Sequence, residues 1–159
     1  MRAAVVTVSD RVSRGETEDG SGPAVVEVLR DLGFEVEPVI VVPDGVDSVR
    51  ATLQECIDRV SLVVTTGGTG FSPRDVTPEA TQPLLERPAP GLSEAMRATT
   101  FGQNPHGMLS RGVAGIAGST LILNLPGSEK GVRESLSVVG PALRHGVELL
   151  IDADSDHNA

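Results

Sequence analysis

The chain has 159 residues, 39% of them hydrophobic, and a formal net charge of -9 at pH 7, which suits one globular domain with a continuous core. Nonspecific nucleic-acid binding is excluded, because that affinity comes from clustered Lys and Arg that release counterions from the phosphate backbone. Cys56 is the only cysteine, which excludes an intrachain disulfide and a zinc site built on cysteine pairs, and we expect a cytoplasmic protein.

The first apolar run, residues 3–8, is short and is followed at once by polar residues. It fits neither a signal peptide nor a membrane span, and we expect no membrane contact. Its β-branched residues predict a first strand instead. Residues 24–32 follow with apolar positions at helical spacing and end at Gly33, so the chain opens with strand, loop and helix.

The pattern of strand and helix then repeats. Residues 36–42 predict a second strand, and apolar positions from Val49 to Val60 mark one face of a second helix. Residues 62–65 form a short run that is apolar almost throughout, as expected of a strand that is buried on both faces. This third strand leads into a glycine-rich turn.

The middle of the chain predicts a helix start at Thr77, with a capping hydroxyl, a proline at the first helical position and an early acid. A shorter helix follows the Pro- and Gly-rich residues 87–91, and residues 102–107 form a loop. This segment carries the least regular pattern of the chain.

Residues 112–117 and 120–125 predict a tight pair of strands. Ser128 is placed to cap a final helix, which Pro141 should kink or restart. Residues 1–151 therefore predict a single domain, and the acidic, polar residues 152–159 predict a disordered tail.

Strands that alternate with helices imply an α/β fold with a mostly parallel sheet covered by helices on both faces. In such sheets, ligands bind beyond the carboxyl ends of the strands. Four loops of unusual composition are expected there, and they begin at Ser9, Pro43, Gly67 and Pro126.

The strongest candidate for a ligand site is the segment 65–81, TTGGTGFSPRDVTPEAT. Its glycines allow backbone N–H groups to approach an anion closely. A glycine-rich turn is the plain alternative, but the hydroxyls and the carboxylate of Asp75 nearby favour a ligand loop. The segment lacks the P-loop lysine and the GxGxxG fingerprint, which disfavours ordinary GTPase and dinucleotide-binding folds.

Two further loops add to this candidate site. Asp44 and Asp75 are expected at adjacent strand ends, where two carboxylates can share Mg²⁺ with substrate phosphates. Residues 124–128 lead into the amino end of the last helix, which is a second place for an anion. A plain strand-to-helix turn explains that segment equally well. Cys56 and His106 are not expected to be catalytic.

Six segments together resemble the MogA/MoaB family of molybdenum-cofactor proteins, which is related to the G domains of gephyrin and Cnx1. They are TVSDR at 7–11, DGSGP at 19–23, TTGGTG at 65–70, SPRDVTPEAT at 72–81, GLSEAMR at 91–97 and LILNLPGS at 121–128. The resemblance implies a three-layer α/β sandwich, often trimeric, that binds molybdopterin. It further implies Mg²⁺-dependent transfer of AMP from ATP to the molybdopterin phosphate, with release of pyrophosphate.

The resemblance also implies roles for individual residues. Asp44 and Asp75 would be the catalytic and metal-binding acids. The residues that bind molybdopterin and the nucleotide would be Ser9, Asp10, Gly67, Gly68, Thr69, Gly70, Ser119, Asn124, Pro126, Gly127 and Ser128. Contact with a MoeA-type molybdenum insertase is implied as well.

Two other functions remain as alternatives. The first is a non-catalytic molybdopterin-binding or carrier protein of the MoaB type, which would bind the pterin and release no pyrophosphate. The second is an unrelated nucleotide-binding domain, which the missing P-loop lysine disfavours. Asp44 and Asp75 favour the enzyme, while Arg74, Arg111 and Lys130 receive no assigned role.

Overall fold

A computed structural model describes the backbone of residues 1–157 and the side chains of residues 1–152. The strands in this range are β1 (Arg2–Val8), β2 (Glu35–Val36), β3 (Ile40–Val42), β4 (Leu62–Thr66), β5 (Arg87–Pro88), β6 (Ala114–Ala117) and β7 (Thr120–Leu125). The helices are α1 (Asp10–Ser13), α2 (Ser21–Asp31), α3 (Val46–Cys56), α4 (Thr77–Thr81), α5 (Pro90–Ala98) and α6 (Glu129–His157). Short 3₁₀ turns lie at Gln82–Leu84 and Pro105–Leu109.

The strands form one sheet in the order β2-β1-β4-β7-β6-β5, with β3 also paired to β1. The pairs that β1 makes with β2, β3 and β4 are parallel, as is the pair of β4 with β7. Only β5 and β6 add antiparallel pairs at one edge of this described sheet. The predicted α/β fold with a mostly parallel sheet is therefore confirmed.

Helices cover both faces of the sheet, because successive residues of a strand point to opposite sides. Ala3 and Val5 of β1 pack in one core with apolar residues of α2, α5 and α6. Ala4 and Val6 pack in a second core with residues of α3 and α4. The structure is thus the three-layer sandwich that the resemblance implied. No helix within residues 1–157 is long and apolar enough to cross a membrane.

Two boundaries differ from those predicted. Residues 36–42 are not one strand, because the pairing with β1 is interrupted between β2 and β3, around Pro38. Proline has no N–H to donate and interrupts a strand. The second helix ends at Cys56 and does not reach Val60, since Asp58 adopts a left-handed backbone with φ of 62°.

The predicted details of two other helices also need revision. Thr77 does not cap α4; Val76 occupies the cap position, and the Thr77 hydroxyl donates to the Gly67 carbonyl instead. Ser128 does cap α6, because its hydroxyl accepts from the Gly131 N–H at 3.1 Å. Pro141 lies inside α6 without restarting it. α6 extends through residues 152–157 of the tail predicted at 152–159, so this part of the backbone is helical. Residues 158 and 159 lie outside the described residues, and for them the disorder stays a prediction.

Candidate ligand site at the carboxyl edge of the sheet

The four loops singled out in the sequence leave the sheet along one edge. Val8 of β1 pairs with Val42 of β3, and Thr7 pairs with Thr66 at the end of β4. Thr66 in turn pairs with Leu125 at the end of β7. The loops that begin at Ser9, Pro43, Gly67 and Pro126 therefore follow adjacent strand ends, as expected for the ligand edge of an α/β sheet.

The loop after β4 requires glycine at its first two positions. Gly67 and Gly68 have φ of 97° and 67°, a left-handed backbone that other residues rarely adopt. A Cβ atom on Gly67 would overlap the Val8 carbonyl oxygen, and one on Gly68 would overlap the Thr77 hydroxyl. Two hydrogen bonds fix this close approach. The Thr77 hydroxyl donates to the Gly67 carbonyl at 2.9 Å, and the Thr66 hydroxyl donates to the Pro126 carbonyl at 2.7 Å.

A cavity of about 420 Å³ opens at this edge. Eight of the residues predicted for the site line it, namely Gly68, Thr69, Gly70, Asp75, Asn124, Pro126, Gly127 and Ser128. The remaining walls come from α5, from the 3₁₀ turn at Pro105–Leu109 and from the first turns of α6. The cavity thus joins a glycine-rich loop to the amino end of a long helix, and both features favour anions.

Asp44 and Asp75 both lie against the glycine loop. Oδ1 of Asp44 is 3.2 Å from the point where a Gly68 Cβ would stand, and Oδ2 of Asp75 is 2.9 Å from the equivalent point at Gly70. Asp75 lines the cavity and Asp44 does not. Asp75 is oriented by the Ser72 N–H, which donates to its Oδ2 at 3.0 Å.

Asp10 and Asp44 hold each other through their backbones. The Asp10 N–H donates to Oδ2 of Asp44 at 2.9 Å, and the Asp44 N–H donates to Oδ1 of Asp10 at 3.1 Å. The guanidinium of Arg74 binds both carboxylate oxygens of Asp10 at 3.1 Å and also the Asp44 carbonyl. Asp10 is therefore occupied by an internal ion pair, whereas Oδ1 of Asp44 remains beside the loop.

The pKa values of Asp10 and Asp44 shift in opposite directions. The hydrogen bond from Arg74 lowers the pKa of Asp10 below its ordinary value. Burial raises the pKa of Asp44, and the negative charges of Asp10 and Asp75 raise it further. A carboxylate that is disfavoured by burial and by like charges gains from a nearby cation.

The donor set fits Mg²⁺ better than a transition metal. Within the described side chains, no group of three or more His, Cys, Asp and Glu is arranged to hold a metal ion. Mg²⁺ does not require such a cage, since it binds through one or two carboxylates, water and substrate phosphates. Asp44 and Asp75 offer carboxylate oxygen atoms beside the glycine loop, which matches that requirement.

Four predicted binding residues have other tasks or another location. The Ser9 hydroxyl accepts from the Val12 N–H and so caps α1. Asp10 is paired with Arg74 as described above, and the Asn124 amide is buried among internal partners. Ser119 lies before β7, at the opposite edge of the sheet and one strand length from the site, which is about 20 Å.

The prediction that Ser119 lines the pocket is therefore corrected. Its backbone N–H and its hydroxyl both bind Oδ1 of Asp58 in the turn after α3. Ser119 lies just before the segment 121–128 that carries part of the resemblance. The resemblance could not show that this position precedes β7, whereas the ligand edge lies at the far end of the same strand.

Arg111, to which the sequence assigned no role, holds the segment that carries Asp75. Its Nε donates to the Gly70 carbonyl at 2.9 Å, and its Nη2 donates to the Asp75 carbonyl at 2.6 Å. It also forms an ion pair with Glu79. Both ends of the segment that carries Asp75 are thus fixed by one guanidinium, with a geometry that lysine cannot reproduce.

The sequence also missed the wall that α5 and its neighbours supply. Side chains that line the cavity without having been predicted include Ser93, Arg97, Thr100, His106, Ser110 and Glu134. The only signal available was the spacing of four residues between Ser93 and Arg97, which places both on one side of a helix. Cys56 is fully buried, and burial raises the pKa of its thiol, in keeping with an inert cysteine.

Comparison with known proteins identifies relatives over most of the chain. Residues 4–145 match a family described as a probable molybdopterin binding domain. A molybdopterin adenylyltransferase of Helicobacter pylori is 43% identical over 92% of this chain and 86% of that protein. Gephyrin of Dictyostelium discoideum is 44% identical over 92% of this chain, which spans only 22% of gephyrin.

A solved structure agrees with these sequence relationships. The molybdopterin biosynthesis enzyme MoaB of Thermus thermophilus superposes with a TM-score of 0.88 at 49% sequence identity. The superposition covers 94% of this chain and 95% of MoaB. The fold that forms the cavity is therefore shared with MoaB over nearly the whole length of both chains.

Proposed function

The chain belongs to the molybdopterin-binding domain family, and we propose that it is a molybdopterin adenylyltransferase of molybdenum-cofactor biosynthesis. One observation carries the proposal: the glycine loop, with the carboxylates of Asp44 and Asp75 against it, lies at the carboxyl edge of the sheet. The identity with an adenylyltransferase over 86% of that protein's length supports it.

In the proposed reaction, the terminal phosphate oxygen of molybdopterin attacks the α-phosphorus of ATP. The bond between the α-phosphorus and the bridging oxygen breaks, and pyrophosphate leaves with the electron pair. Transfer between phosphates requires positioning and charge stabilisation more than covalent help from the protein. The reaction therefore requires no nucleophilic Ser, Cys or His.

Each part of the site has a role in that scheme. The backbone N–H groups of Gly68, Thr69 and Gly70 bind the molybdopterin phosphate, and the amino end of α6 beside Ser128 adds positive potential. Asp44 and Asp75 would hold Mg²⁺, which supplies Lewis-acid stabilisation of charge on the phosphates when bound. Arg111 keeps Asp75 in place by holding its backbone carbonyl.

The decisive experiment compares pyrophosphate release from ATP, molybdopterin and Mg²⁺ by the wild type and by Asp44→Asn and Asp75→Asn. Each variant should lose at least about a hundredfold in kcat, the loss typical of one removed electrostatic stabiliser. Asp58→Asn is the control, because Asp58 lies at the opposite edge of the sheet beside Ser119. Molybdopterin binding without pyrophosphate release by the wild type would establish the carrier alternative.

We also propose that the protein acts as a cytoplasmic homotrimer and delivers its product to a MoeA-type insertase. The resemblance supports both assignments, and exposed apolar side chains such as Phe101 and Met108 supply surface suited to a contact. Light scattering that gives the mass of the 16.5 kDa monomer would reject the trimer. Failure of a MoeA-type insertase to bind the purified protein would reject the second assignment.

A further inference from the structure

Ser93 in α5 is a buried polar residue whose hydroxyl is unused. Its side chain is 3% exposed and lines the cavity. Its Oγ has no hydrogen-bond partner among the described residues. Buried polar atoms without a partner are rare, because the atom has lost water and gained nothing in return. The position therefore suits a partner that the chain itself does not supply.

Arg97 lies one helical turn further along α5 and also lines the cavity. Its Nη1 donates to the carbonyls of Ser110 and Gly112, at 3.3 and 3.0 Å. Unlike Arg74 and Arg111, it forms no ion pair with a carboxylate among the described side chains. The two carbonyls fix the guanidinium, while Nε and Nη2 bind no group among the described residues and keep their donors for a ligand.

The two residues lie on the same side of α5, because side chains four positions apart on a helix are neighbours. The fixed guanidinium offers donors, and the Ser93 hydroxyl can donate or accept. Glycine-loop amides already serve the phosphate end of the cavity. A second group of donors on a separate element suits a polar part of the ligand that carries both an acceptor and an N–H.

We propose that Ser93 and Arg97 form a hydrogen-bonding wall that recognises the ring of a reduced pterin, apart from the loop that binds its phosphate. This inference rests on the proposed function, which places molybdopterin in the cavity. A pterin carries a lactam oxygen beside a ring N–H, so Arg97 donates to the oxygen and Ser93 accepts from the N–H. Arginine binds the equivalent lactam oxygen of guanine in the same way.

The test uses 6,7-dimethyltetrahydropterin, which has the reduced ring and no phosphate, with binding measured by anaerobic calorimetry. Ser93→Ala and Arg97→Gln should each weaken Kd about three- to tenfold, the worth of one hydrogen bond. Arg30→Gln, an equal change of charge on the exposed side of α2, should leave Kd unchanged. Binding of inorganic phosphate should be unchanged in Ser93→Ala, because the glycine loop is intact.

A thermal melt of each ligand-free variant separates recognition from structure. Ser93→Ala should keep or raise the Tm, since an unpartnered hydroxyl is removed. A lower Tm of Ser93→Ala with an unchanged Kd for the pterin would assign Ser93 to the fold and overturn the proposal. Wild-type affinity in both variants, or no pterin binding by the wild type, would overturn it as well. Pterin binding that depends on both residues, without pyrophosphate release, would reject the adenylyltransferase and leave the wall in place.

Discussion

At the residue scale, Asp10 and Asp44 are neighbouring carboxylates whose pKa values shift in opposite directions. Each accepts the backbone N–H of the other, so their local geometry is nearly symmetrical. Arg74 breaks the symmetry, because it binds the carboxylate of Asp10 and not the carboxylate of Asp44. Asp44 is left half-buried with two negative neighbours. These surroundings disfavour the charged form of the Asp44 carboxylate, and a bound cation would offset that free-energy cost.

Asp44→Asn should raise the stability of the ligand-free protein at neutral pH while it abolishes adenylyl transfer. The pKa of Asp44 is raised in the folded state, with burial as the main cause. Its contribution to stability is therefore fully present below the unfolded pKa and is lost as pH rises through the folded pKa. Asparagine keeps the acceptor for the Asp10 N–H and carries no charge. Urea denaturation between pH 3 and pH 8 measures the difference, which should vanish at the acid end.

Asp10→Asn is the matched control, and its effect should have the opposite sign. The pKa of Asp10 is lowered by Arg74, so its stabilising contribution is present above the unfolded pKa and is lost as pH falls through the folded pKa. The variant should be less stable than the wild type at neutral pH. A loss of stability at pH 7 for Asp44→Asn would show that the carboxylate is not strained by its surroundings.

Residues whose role depends on their own backbone conformation could be predicted from the sequence. Residues whose role depends on contacts with distant parts of the chain could not. Gly67 and Gly68 were found because a glycine-rich segment between a buried strand and a helix has few explanations. Arg111 was missed because its partners, Gly70 and Asp75, lie about forty positions earlier in the chain. No local pattern reports a contact that the sheet topology creates.

At the scale of elements, the Asn124 side chain joins β7 to three other parts of the fold. The Asn124 amide donates to the hydroxyls of Thr65 and Thr81, at 2.9 and 3.1 Å, and its oxygen accepts from the Val113 N–H at 3.2 Å. The residue is 1% exposed. These bonds join β7 to β4, to α4 and to the segment before β6, directly beneath the ligand edge.

Asn124→Ala should lower the free energy of unfolding by about 3 kcal/mol or more, since it leaves several buried polar groups without a partner. Urea denaturation measures this loss. Ser128→Ala is the control in the same loop, and it should cost about 1 kcal/mol because it removes only a helix cap. If Asn124→Ala kept its stability and lost only molybdopterin binding, the residue would be a ligand contact, as the resemblance implied.

Regular elements with strong periodicity were predictable, and two of the errors fell at prolines. The apolar runs of β1, β4 and β7 gave strands close to their observed bounds. Pro38 divided an expected strand in two, because it interrupts the pairing with β1. Pro141 had the opposite outcome, since α6 continues through it. The packing of α6 against the sheet outweighs the loss of one backbone hydrogen bond.

At the scale of the whole molecule, an acidic protein binds two polyanionic substrates in the proposed reaction. The net charge is -9, so the long-range field opposes the approach of ATP and molybdopterin. The attraction that holds them must therefore be local, from the glycine-loop amides, the amino end of α6 and the arginines of the site. Local contacts are screened less by salt than the field of distant surface charges.

The rate constant kcat/KM for pyrophosphate release should consequently rise severalfold when KCl is increased from about 0.02 to 0.2 M at saturating Mg²⁺. The Debye length falls from roughly 20 to 7 Å over this range, which removes most of the repulsion from distant acids and leaves the nearby donors active. Binding of the neutral 6,7-dimethyltetrahydropterin should stay constant in the same series. A fall of kcat/KM with salt would mean that arginines around the cavity dominate the field, and that the acidic surface has no influence on substrate approach.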